Sequence, residues 1–586
     1  MTRLTPIPFN KVKIDSGFWS PRLEIARKET VRVCLDKCEE TGRLSNFRKA
    51  AGRMEGKFQG IYFDDSDVYK VLEGAAYCLM HSRDEELEAR VDGIIDDIVA
   101  SQQPDGYINS YYTLTGLEKR WTDMGMHEAY CIGHMVEGAV AYHQATGKDA
   151  WLRCAERVIA HMMDRFGPGK LHWVTGHQEL ELALIRLYRH TGKREYYDFA
   201  QWLIHERGHG HMAAASLDSQ SFFEEYSQNA VPAAEQTKVT GHAVRAMYYY
   251  TAMADADAVS GAGEYTRALD ALWHNVVPAN YYITGGIGQS AHNEGFTRDY
   301  HKPNLTAYCE TCAAIGMAMW NHRLNLASAD AKYADIVETE MYNGALAGIS
   351  LDGKRFFYEN PLASVGNHHR RAWYGCSCCP TNLARFIPSV GGYAYALGEK
   401  TLVVNQYIAG GLEIEEDGVH VQLQVETDYP WDGRVALDVK RCDGVETLRL
   451  RIPGWCRKWD VSVPGAVCED GYLVLPVAQG DRVVLTLDMP VDRVYEDERV
   501  QETKGRVAIR RGPVLYCAEE VDNPGIPTEY FHCDTTLPKA AGLTLGAREP
   551  ALMNVPVIRA GELKLIPYAL WDNRERGAMV VWMKEA

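Results

Sequence analysis

The chain has 586 residues, with 62 Lys and Arg against 79 Asp and Glu, for a formal net charge of −17 at pH 7. This acidic balance repels a nucleic-acid backbone or an anionic membrane surface, so neither is expected as a partner. The length exceeds one ordinary domain and indicates two to four structural units.

The sequence carries no sign of export or of a membrane span. Residues 1–19 lack the apolar run of a signal peptide, and no segment approaches the length of apolar sequence that crosses a bilayer. The 15 cysteines are an odd number and are scattered, which fits reduced thiols better than a disulfide framework. We therefore expect a cytoplasmic protein.

Residues from about 20 to 397 repeat apolar side chains at intervals of three and four, which predicts helices. The helices come in pairs separated by turns rich in Gly, Pro and Asp, such as 102–109. About twelve helices in this length predict an (α/α)6 toroid, a barrel made of two helical rings. A superhelical repeat array is the alternative, but no fixed repeat sequence is visible.

After Tyr395 the pattern changes to short alternating strands bounded by Gly, Asp or Pro, which indicates a β-sandwich. Strand signals continue to the C-terminus but are diluted by loop residues. The predicted fold class is thus multidomain α+β, an (α/α)6 barrel followed by C-terminal β-sandwich modules. We place the barrel at 1–397, the sandwich at 398–500 and a second, smaller sandwich-like module at 501–586.

The most informative motifs are a Cys-Ser-Cys-Cys that ends at Cys379 and a Glu-Thr-Cys that starts at Glu310. A disulfide between the adjacent Cys378 and Cys379 would be strained, yet both sulfurs can bind one ion. With Cys312 and the Glu310 carboxylate they offer the four ligands of a tetrahedral zinc site. Residues two positions apart on a helix point to different faces. Glu310 and Cys312 can therefore reach one ion only if they lie in a loop or at a helix start.

A second ligand set is open on spacing alone. Cys309 and Cys312 form a Cys-x-x-Cys motif, and Cys376 and Cys378 form a Cys-x-Cys motif. These four thiolates could hold a structural zinc that staples two segments together. A catalytic and a purely structural metal site are therefore both compatible with the spacing.

An ordered set of motifs resembles glycoside hydrolase family 127, the zinc-dependent retaining β-L-arabinofuranosidases. The resemblance covers most of the chain. The segments that carry it include GGIGQSAHNEGF (285–296), YCETCAAI (308–315) and YGCSCCPTN (374–382). Further matching segments are 127–134, 175–184, 241–249, 507–516 and 567–579.

The resemblance implies roles for the acidic and sulfur side chains. It favours the zinc set of Glu310, Cys312, Cys378 and Cys379, and it makes Cys378 the nucleophile, because a zinc-bound thiol loses its proton. It makes Glu294 the general acid/base. A glycosidic oxygen leaves poorly until it is protonated, so we expect a raised pKa for Glu294.

The resemblance also implies the residues of the sugar pocket. His127, His177 and His242 lie near the starts of predicted helices, where the loops at one end of a toroid converge. A histidine at a helix start is ordinarily a structural hydrogen-bonding group, but these three resemble family positions that contact sugar hydroxyls. Tyr358 resembles a further pocket residue.

Three more residues are expected to support the pocket. His134 and Glu179 are interpreted as neighbours of the sugar-contacting groups. The acidic run at 64–70 lacks the spacing of an EF-hand calcium loop. We interpret it as a helix start with Asp67 near the cap, at the edge of the pocket.

The resemblance implies an exo-acting retaining hydrolase that releases terminal β-L-arabinofuranose from arabino-oligosaccharides or glycoconjugates. It also implies a homodimer, whose interface we place on the C-terminal β-modules. One alternative is the same machinery acting on another terminal sugar of plant polysaccharides. The other is a non-catalytic carbohydrate-binding toroid with a structural four-cysteine zinc site.

Overall fold

The structure, a computed structural model, describes residues 4–212, 220–416 and 418–586. None of the described helices is long and apolar enough to cross a bilayer. The helices are α1 (Ser20–Ile25), α2 (Val31–Glu40), α3 (Arg43–Ala50), α4 (Asp65–His81), α5 (Glu85–Ala100), α6 (Ser110–Thr115), α7 (Glu128–Thr146), α8 (Ala150–Arg165), α9 (Leu180–Thr191), α10 (Arg194–Glu206), α11 (Gln220–Tyr226), α12 (Ala243–Ser260), α13 (Thr266–Asn280), α14 (Thr311–Ser328), α15 (Ala331–Thr339), α16 (Cys378–Phe386) and α17 (Thr528–Asp534).

Six helices form a closed inner ring. In the order α4, α7, α9, α12, α14 and α16, each helix packs against the next, and α16 packs back against α4. Outside them, α2, α5, α8, α10, α13 and α15 each pack against a helix of the inner ring. The predicted (α/α)6 barrel is therefore confirmed, and ring closure rules out the superhelical array.

Burial distinguishes the two rings. Inner helix α7 is buried at every position from Glu128 to Tyr142, so it shows no single apolar stripe. Outer helix α8 buries one face, represented by Trp151, Ala155 and Val158, and exposes the other. A helix enclosed on all sides tolerates small and apolar residues all round, whereas a surface helix needs an amphipathic pattern.

The sequence predicts a last helix from about Thr381 to Ala396, and this is wrong in its bounds. Helix α16 begins at Cys378 and ends at Phe386, and a 3-10 segment, Ile387–Tyr393, follows it. Pro388 has no backbone N–H and disfavours continuation of an α-helix, and two glycines follow shortly after.

Two six-stranded sheets form the β-sandwich, in the orders β1-β4-β5-β9-β12-β11 and β10-β13-β8-β7-β6-β2. Along β7, Val421, Leu423 and Val425 are buried and alternate with more exposed residues, as expected for a sheet with one face on the core. The strands involved are β1 (Thr5–Pro6), β2 (Val12–Lys13), β4 (Tyr395–Gly398), β5 (Thr401–Val404), β6 (Gly410–Glu416), β7 (Val419–Thr427), β8 (Arg434–Asp443), β9 (Thr447–Arg451), β10 (Trp459–Val461), β11 (Val467–Glu469), β12 (Tyr472–Pro476) and β13 (Arg482–Leu487); β3 (Ala363–Ser364) lies elsewhere.

The N-terminus contributes two strands to this sandwich. Strand β1 pairs with β4, with Thr5 opposite Leu397, and β2 pairs with β6, with Val12 opposite Leu412. Both pairs are antiparallel. The first residues of the chain therefore belong to the sandwich by hydrogen bonding, although the sequence places them in the helical region.

A ten-stranded sheet makes up the C-terminal part. Its path is β17-β22-β15-β16-β20-β19-β18, with β14 on β15, and β21 joins β16 to β3 of the helical region. Because β14 pairs here, its residues belong by hydrogen bonding to this sheet, although the sequence assigns them to the sandwich. The division into domains at 397 and 500 stays a prediction. These strands are β14 (Val491–Val494), β15 (Arg506–Arg511), β16 (Val514–Glu519), β17 (Thr536–Leu537), β18 (Leu543–Glu549), β19 (Val555–Ala560), β20 (Leu563–Pro567), β21 (Met579–Val580) and β22 (Met583–Glu585).

Candidate active site

A cavity of about 300 Å³ lies at the end of the barrel where inner helices begin. The N-cap positions of α7, α12 and α14 are occupied by His127, His242 and Glu310, and Cys378 is the first residue of α16. Each helix N-terminus carries a partial positive charge from its aligned peptide dipoles, so this end of the barrel favours anionic groups. The lining residues are Tyr62, Phe63, Gly125, His127, Tyr130, His177, Phe223, Tyr226, His242, Val244, Arg245, Glu294, Glu310, Cys312, Tyr358, Cys376 and Cys378.

The four expected metal ligands meet at the base of the cavity. The donor atoms of Glu310, Cys312, Cys378 and Cys379 all lie within 4.8 Å of one another. The Cys379 sulfur lies 3.5 Å from that of Cys312 and 3.9 Å from that of Cys378. Two sulfurs on one tetrahedral zinc stand about 3.8 Å apart, given a Zn–S bond of about 2.3 Å, so the spacing fits that ion.

The carboxylate of Glu310 completes this set. Its Oε1 lies 3.5 Å from the sulfur of Cys378 and 3.6 Å from that of Cys379. Its Oε2 is buried without a hydrogen-bond partner, as expected of an oxygen placed to bind a cation. Because Glu310 caps α14 and Cys312 lies in the first turn, both reach the same point.

The electrostatics of this cluster also favour a bound cation. Burial and the neighbouring Cys378 sulfur raise the pKa of Glu310 well above its usual range. Burial, together with hydrogen bonds to the Cys312 and Cys378 sulfurs, raises the pKa of Cys379. Four acidic groups packed this closely, with little water, repel one another when ionised. A metal ion with two positive charges would relieve that repulsion, so the cluster could bind a metal.

The other two cysteines of these motifs are not members of this four-donor group. Cys309 is buried in a separate apolar cluster with Tyr282, Phe357 and Trp571. Cys376 lines the cavity, and its sulfur lies 3.8 Å from the hydroxyl of Tyr358. The four-thiolate set would require Cys309 to leave its apolar surroundings, and the geometry gives that set no support.

Cys378 is the half-buried sulfur of the cluster that faces the cavity. Its Sγ lies 3.1 Å from the hydroxyl oxygen of Tyr358. A hydroxyl and a helix N-terminus both stabilise negative charge on a sulfur. Cys379, by contrast, is fully buried and does not line the cavity.

Glu294 lies in the same cavity, on a turn. Its Oε1 accepts a hydrogen bond from the Tyr226 hydroxyl and its Oε2 one from the Tyr308 hydroxyl, both at 3.1 Å. Nε2 of His242 lies 3.5 Å from Oε2. Because Nδ1 of His242 accepts from the Val244 amide, the imidazole proton belongs on Nε2 and points at Glu294.

These donors change the acidity of Glu294. Burial alone would raise its pKa, but the hydrogen bonds from His242, Tyr226 and Tyr308 lower it to about 2. The expectation of a raised pKa is therefore wrong for the pocket as it stands, because the three donors stabilise the ionised form. In the pocket as it stands, Glu294 is therefore an ionised carboxylate that accepts hydrogen bonds.

The three predicted histidines form an arc along the wall of the cavity. The ring centroids of His127 and His177 are 5.6 Å apart, and those of His177 and His242 are 5.5 Å apart. His127 also stacks on Phe63 at 4.7 Å. Burial lowers the pKa of all three, to about 3 for His127, so they present neutral imidazoles. Neutral imidazoles can both donate to and accept from hydroxyl groups.

The supporting residues are placed differently from one another. His134 and Glu179 lie 3.0 Å apart, fully buried, and the His134 ring packs edge-on against Tyr130 of the cavity wall. Asp67 is within α4 rather than at its cap, and it pairs with the Arg43 guanidinium at 3.0 Å. Asp67 is thus engaged in a buried ion pair with arginine.

Sequence reasoning missed Tyr226, Tyr308 and Arg245. Tyr308 precedes Glu310 by two residues and could have been included with that motif. Arg245 follows His242 by three and lies over the Tyr226 ring at 4.5 Å. Tyr226 stands alone in its segment, so no pattern connected it with Glu294.

The closed double ring of helices has a polar pocket at one end, and in that pocket the Glu294 carboxylate lies beside a sulfur cluster, an arrangement suited to an enzyme active site. The family models described as "Beta-L-arabinofuranosidase, GH127 catalytic domain", middle domain and C-terminal domain match residues 11–392, 401–489 and 491–584. The chain therefore belongs to glycoside hydrolase family 127 and is a glycosidase.

Individual relatives agree with this membership. The chain is 36% identical to the non-reducing end β-L-arabinofuranosidase of Bifidobacterium longum subsp. longum, over 92% of each protein. A solved GH127 β-arabinofuranosidase is 38% identical, with a TM-score of 0.91 over 100% of this chain and 98% of that one. A GH127 β-L-arabinofuranosidase from Geobacillus stearothermophilus T6 is also 38% identical, with a TM-score of 0.92 over 98% and 100%.

Proposed function

We propose that this glycosidase is an exo-acting, retaining β-L-arabinofuranosidase that releases terminal β-L-arabinofuranose from arabino-oligosaccharides or glycoconjugates. The names of the relatives suggest which sugar is the substrate, and the pocket suggests exo action on a terminal sugar. One observation carries the proposal: Glu294 and Cys378 face one cavity of about 300 Å³, a size suited to a single terminal sugar.

The reacting groups are close enough to act on one bond. A carboxylate oxygen of Glu294 lies within 4.8 Å of one of Glu310, and Glu310 in turn lies 3.5 Å from the Cys378 sulfur. We assign the zinc ligands as Glu310, Cys312, Cys378 and Cys379, and bound zinc would supply the charge that keeps these thiols deprotonated.

The chain's own residues then divide the chemistry. Glu294 must first take up a proton, which requires bound substrate to displace the donors that keep it ionised. The Cys378 sulfur then attacks the anomeric carbon while Glu294 gives this proton to the leaving oxygen, which breaks the glycosidic bond and forms a C–S bond. Glu294, now ionised, takes a proton from a water whose oxygen displaces the sulfur. Two displacements at one carbon retain its configuration.

The three histidines and Tyr358 are proposed to bind the sugar. A furanose presents hydroxyl groups around its ring, and neutral His127, His177 and His242 can donate to them or accept from them without a charged group. Tyr358 lies beside the Cys378 sulfur and so can contact the sugar near its reacting carbon.

A panel of nitrophenyl furanosides and pyranosides, with product anomers followed by NMR, tests the proposal. We expect turnover of β-L-arabinofuranosides with β-L-arabinofuranose as the first product. Preference for another terminal sugar would replace the substrate assignment, and an inverted anomer would contradict the mechanism. A haloacetamide derivative of arabinofuranose should label Cys378, whereas an adduct on Asp or Glu would overturn the thiolate nucleophile.

A further inference from the structure

A second group of metal-binding side chains lies outside the pocket. His172 is in the loop between α8 and α9, Glu206 is the last residue of α10, and His211 follows that helix. Their donor atoms lie within 4.8 Å of one another. Nδ1 of His172 is 2.7 Å and Nε2 of His211 is 3.5 Å from the same oxygen, Oε2 of Glu206.

We propose that His172, Glu206 and His211 form a peripheral binding site for a divalent transition-metal ion of the Zn²⁺ or Ni²⁺ type. Two imidazoles and one carboxylate suit such ions, and three protein ligands leave room for water in the remaining positions. Hard ions such as Mg²⁺ prefer a shell of oxygen ligands and should bind this set poorly.

The charges of the group point to the same ligand. Within the described parts of the chain, the ion pairs of Glu206 are with these two histidines alone, and no lysine or arginine neutralises its carboxylate. The Glu206 side chain is mostly covered, at 14% exposure, whereas the two imidazoles reach solvent. A metal ion can therefore enter from solvent and meet a carboxylate that has no permanent cationic partner.

The imidazole rings must turn to bind an ion. They now stack, with centroids 4.3 Å apart and an angle of 12° between the planes, and a nitrogen lone pair lies in the plane of its ring. Rotation about side-chain bonds at these exposed positions brings both lone pairs to one point. The ring stack is of order 1 kcal/mol, which metal–nitrogen bonds exceed.

The backbone around the group is already fixed. Arg207, next to Glu206, is fully buried and donates to the Thr175 carbonyl at 2.6 Å and to the Ser227 carbonyl at 2.8 Å. The Gly208 amide donates to the Asn229 side chain. Since these contacts hold the chain segments together before any ion binds, little conformational entropy is lost on binding.

Calorimetry on the intact enzyme tests this site. The enzyme is first loaded to one zinc per chain at the cysteine cluster, and Ni²⁺ or Zn²⁺ is then titrated in a buffer that does not bind metals. We expect one further ion per chain, with a Kd of about 10 µM or tighter, and a metal-dependent rise in Tm. Acidification should weaken binding, because protons compete for the imidazole nitrogens.

The variants make the outcome decisive. His172→Ala with His211→Ala should weaken the added binding at least tenfold and abolish the metal-dependent rise in Tm. His209→Ala is the matched control, since its ring is 6.5 Å from that of His211 and it lies outside the donor group, and it should bind as the parent does. If the double variant does not fold by circular dichroism, Glu206→Gln takes its place.

Two results would overturn the proposal. One is the absence of any added ion up to about 100 µM metal, which is the behaviour of an ordinary histidine surface. The other is equal affinity in the parent and the double variant. Neither result bears on the cysteine cluster or on glycosidase activity, so the proposed function stands or falls separately.

Discussion

At Glu294 the backbone has a φ of 48°, a left-handed conformation that is uncommon outside glycine. The next residue must be glycine, because a Cβ at Gly295 would lie 1.8 Å from the carbonyl oxygen of Gly241. Such a turn costs of order 1–3 kcal/mol and persists where the surroundings hold it. Here the Tyr226 and Tyr308 hydroxyls hold the carboxylate in place.

Glu294→Gln should impair substrates according to their leaving group. Protonation contributes most when the leaving oxygen is a poor one, so turnover of an arabinofuranosyl disaccharide should fall by about 10²–10⁴. First-step turnover of a nitrophenyl furanoside should fall much less, as burst kinetics would measure. Equal losses on both substrates would remove Glu294 from the acid role.

Separate substitutions of Cys379 and Cys309 test the ligand set. Cys379→Ser should lose both zinc and activity by elemental analysis and assay, since its sulfur lies within 4.8 Å of the other three donors. Cys309→Ser is the matched control in a different apolar cluster and should keep the metal. Loss of metal from Cys309→Ser with retention in Glu310→Gln would favour the four-thiolate set instead.

Residue types with a narrow chemistry could be predicted from the sequence. The cysteine motifs stand out in the sequence, but their spacing leaves two ligand sets open, and only the resemblance to the family favours Glu310, Cys312, Cys378 and Cys379. The structure brings the donor atoms of these four residues together. Tyr226 could not be found from the sequence, because a tyrosine has many roles and this one reaches Glu294 only through the fold. The acidity of Glu294 was misjudged for the same reason.

At the scale of elements, α16 closes the inner ring with a buried arginine. Arg385 donates to Glu73 of α4 at 2.8 Å and to Glu137 of α7 at 2.6 Å. Arg186 contacts the same two carboxylates but is 25% exposed, whereas Arg385 is 6% exposed. Two carboxylates thus share two cations, one of which is partly in water.

Arg385→Met should destabilise the barrel by about 3–5 kcal/mol, because it leaves two buried carboxylates undercompensated. Arg186→Met, the control on the same pair, should cost less because solvent screens its charge. Urea unfolding of both variants measures the difference. If the two variants lose the same stability, the burial of Arg385 is not what matters.

Asp65, the first residue of α4, gives the stability a pH dependence. It accepts hydrogen bonds from Ser110, but burial outweighs them and raises its pKa from 3.8 to about 6. The contribution of the protonated Asp65 carboxyl to the free energy of unfolding is therefore fully present below about pH 4 and is lost as the pH rises through about 6. Asp65→Asn should gain up to about 3 kcal/mol over the parent between pH 4 and 8 in urea unfolding. If the difference in unfolding free energy between Asp65→Asn and the parent stays constant across that pH range, the prediction is wrong.

Long helices and strands can be predicted from the sequence, whereas very short strands cannot. The inner and outer helices and the strands of the sandwich have enough residues to show their periods, and they were predicted. Strands β1 and β2 have two residues each, too few for an alternation to be visible. Their pairing depends on partners almost 400 residues away.

At the scale of the whole molecule, the C-terminal sheet braces the segment that leads to Cys378. Arg370 donates to the Trp571 and Ala347 carbonyls, and His369 contacts Asp572 at 2.6 Å. Strand β3, at Ala363–Ser364, pairs with β21 of the same sheet. The sequence shows no catalytic motif after residue 382, so this support for the pocket could not be predicted from it.

The homodimer stays a prediction. If the C-terminal β-modules also form the interface, light scattering should give about twice the chain mass of 65.8 kDa. A mass near that of one chain over the working concentration range would contradict it. The cytoplasmic location is likewise a prediction, which fractionation of the source cells would test.

The pairing of β1 with β4 and of β2 with β6 has a consequence for how the protein is made. A nascent chain leaves the ribosome N-terminus first, so residues 5–13 emerge long before residues 395–416, their partners. The whole barrel is synthesised in between, and contacts that span so much chain form slowly. Residues 5–13 can therefore pair within the sandwich only after the residues of the helical rings have been synthesised.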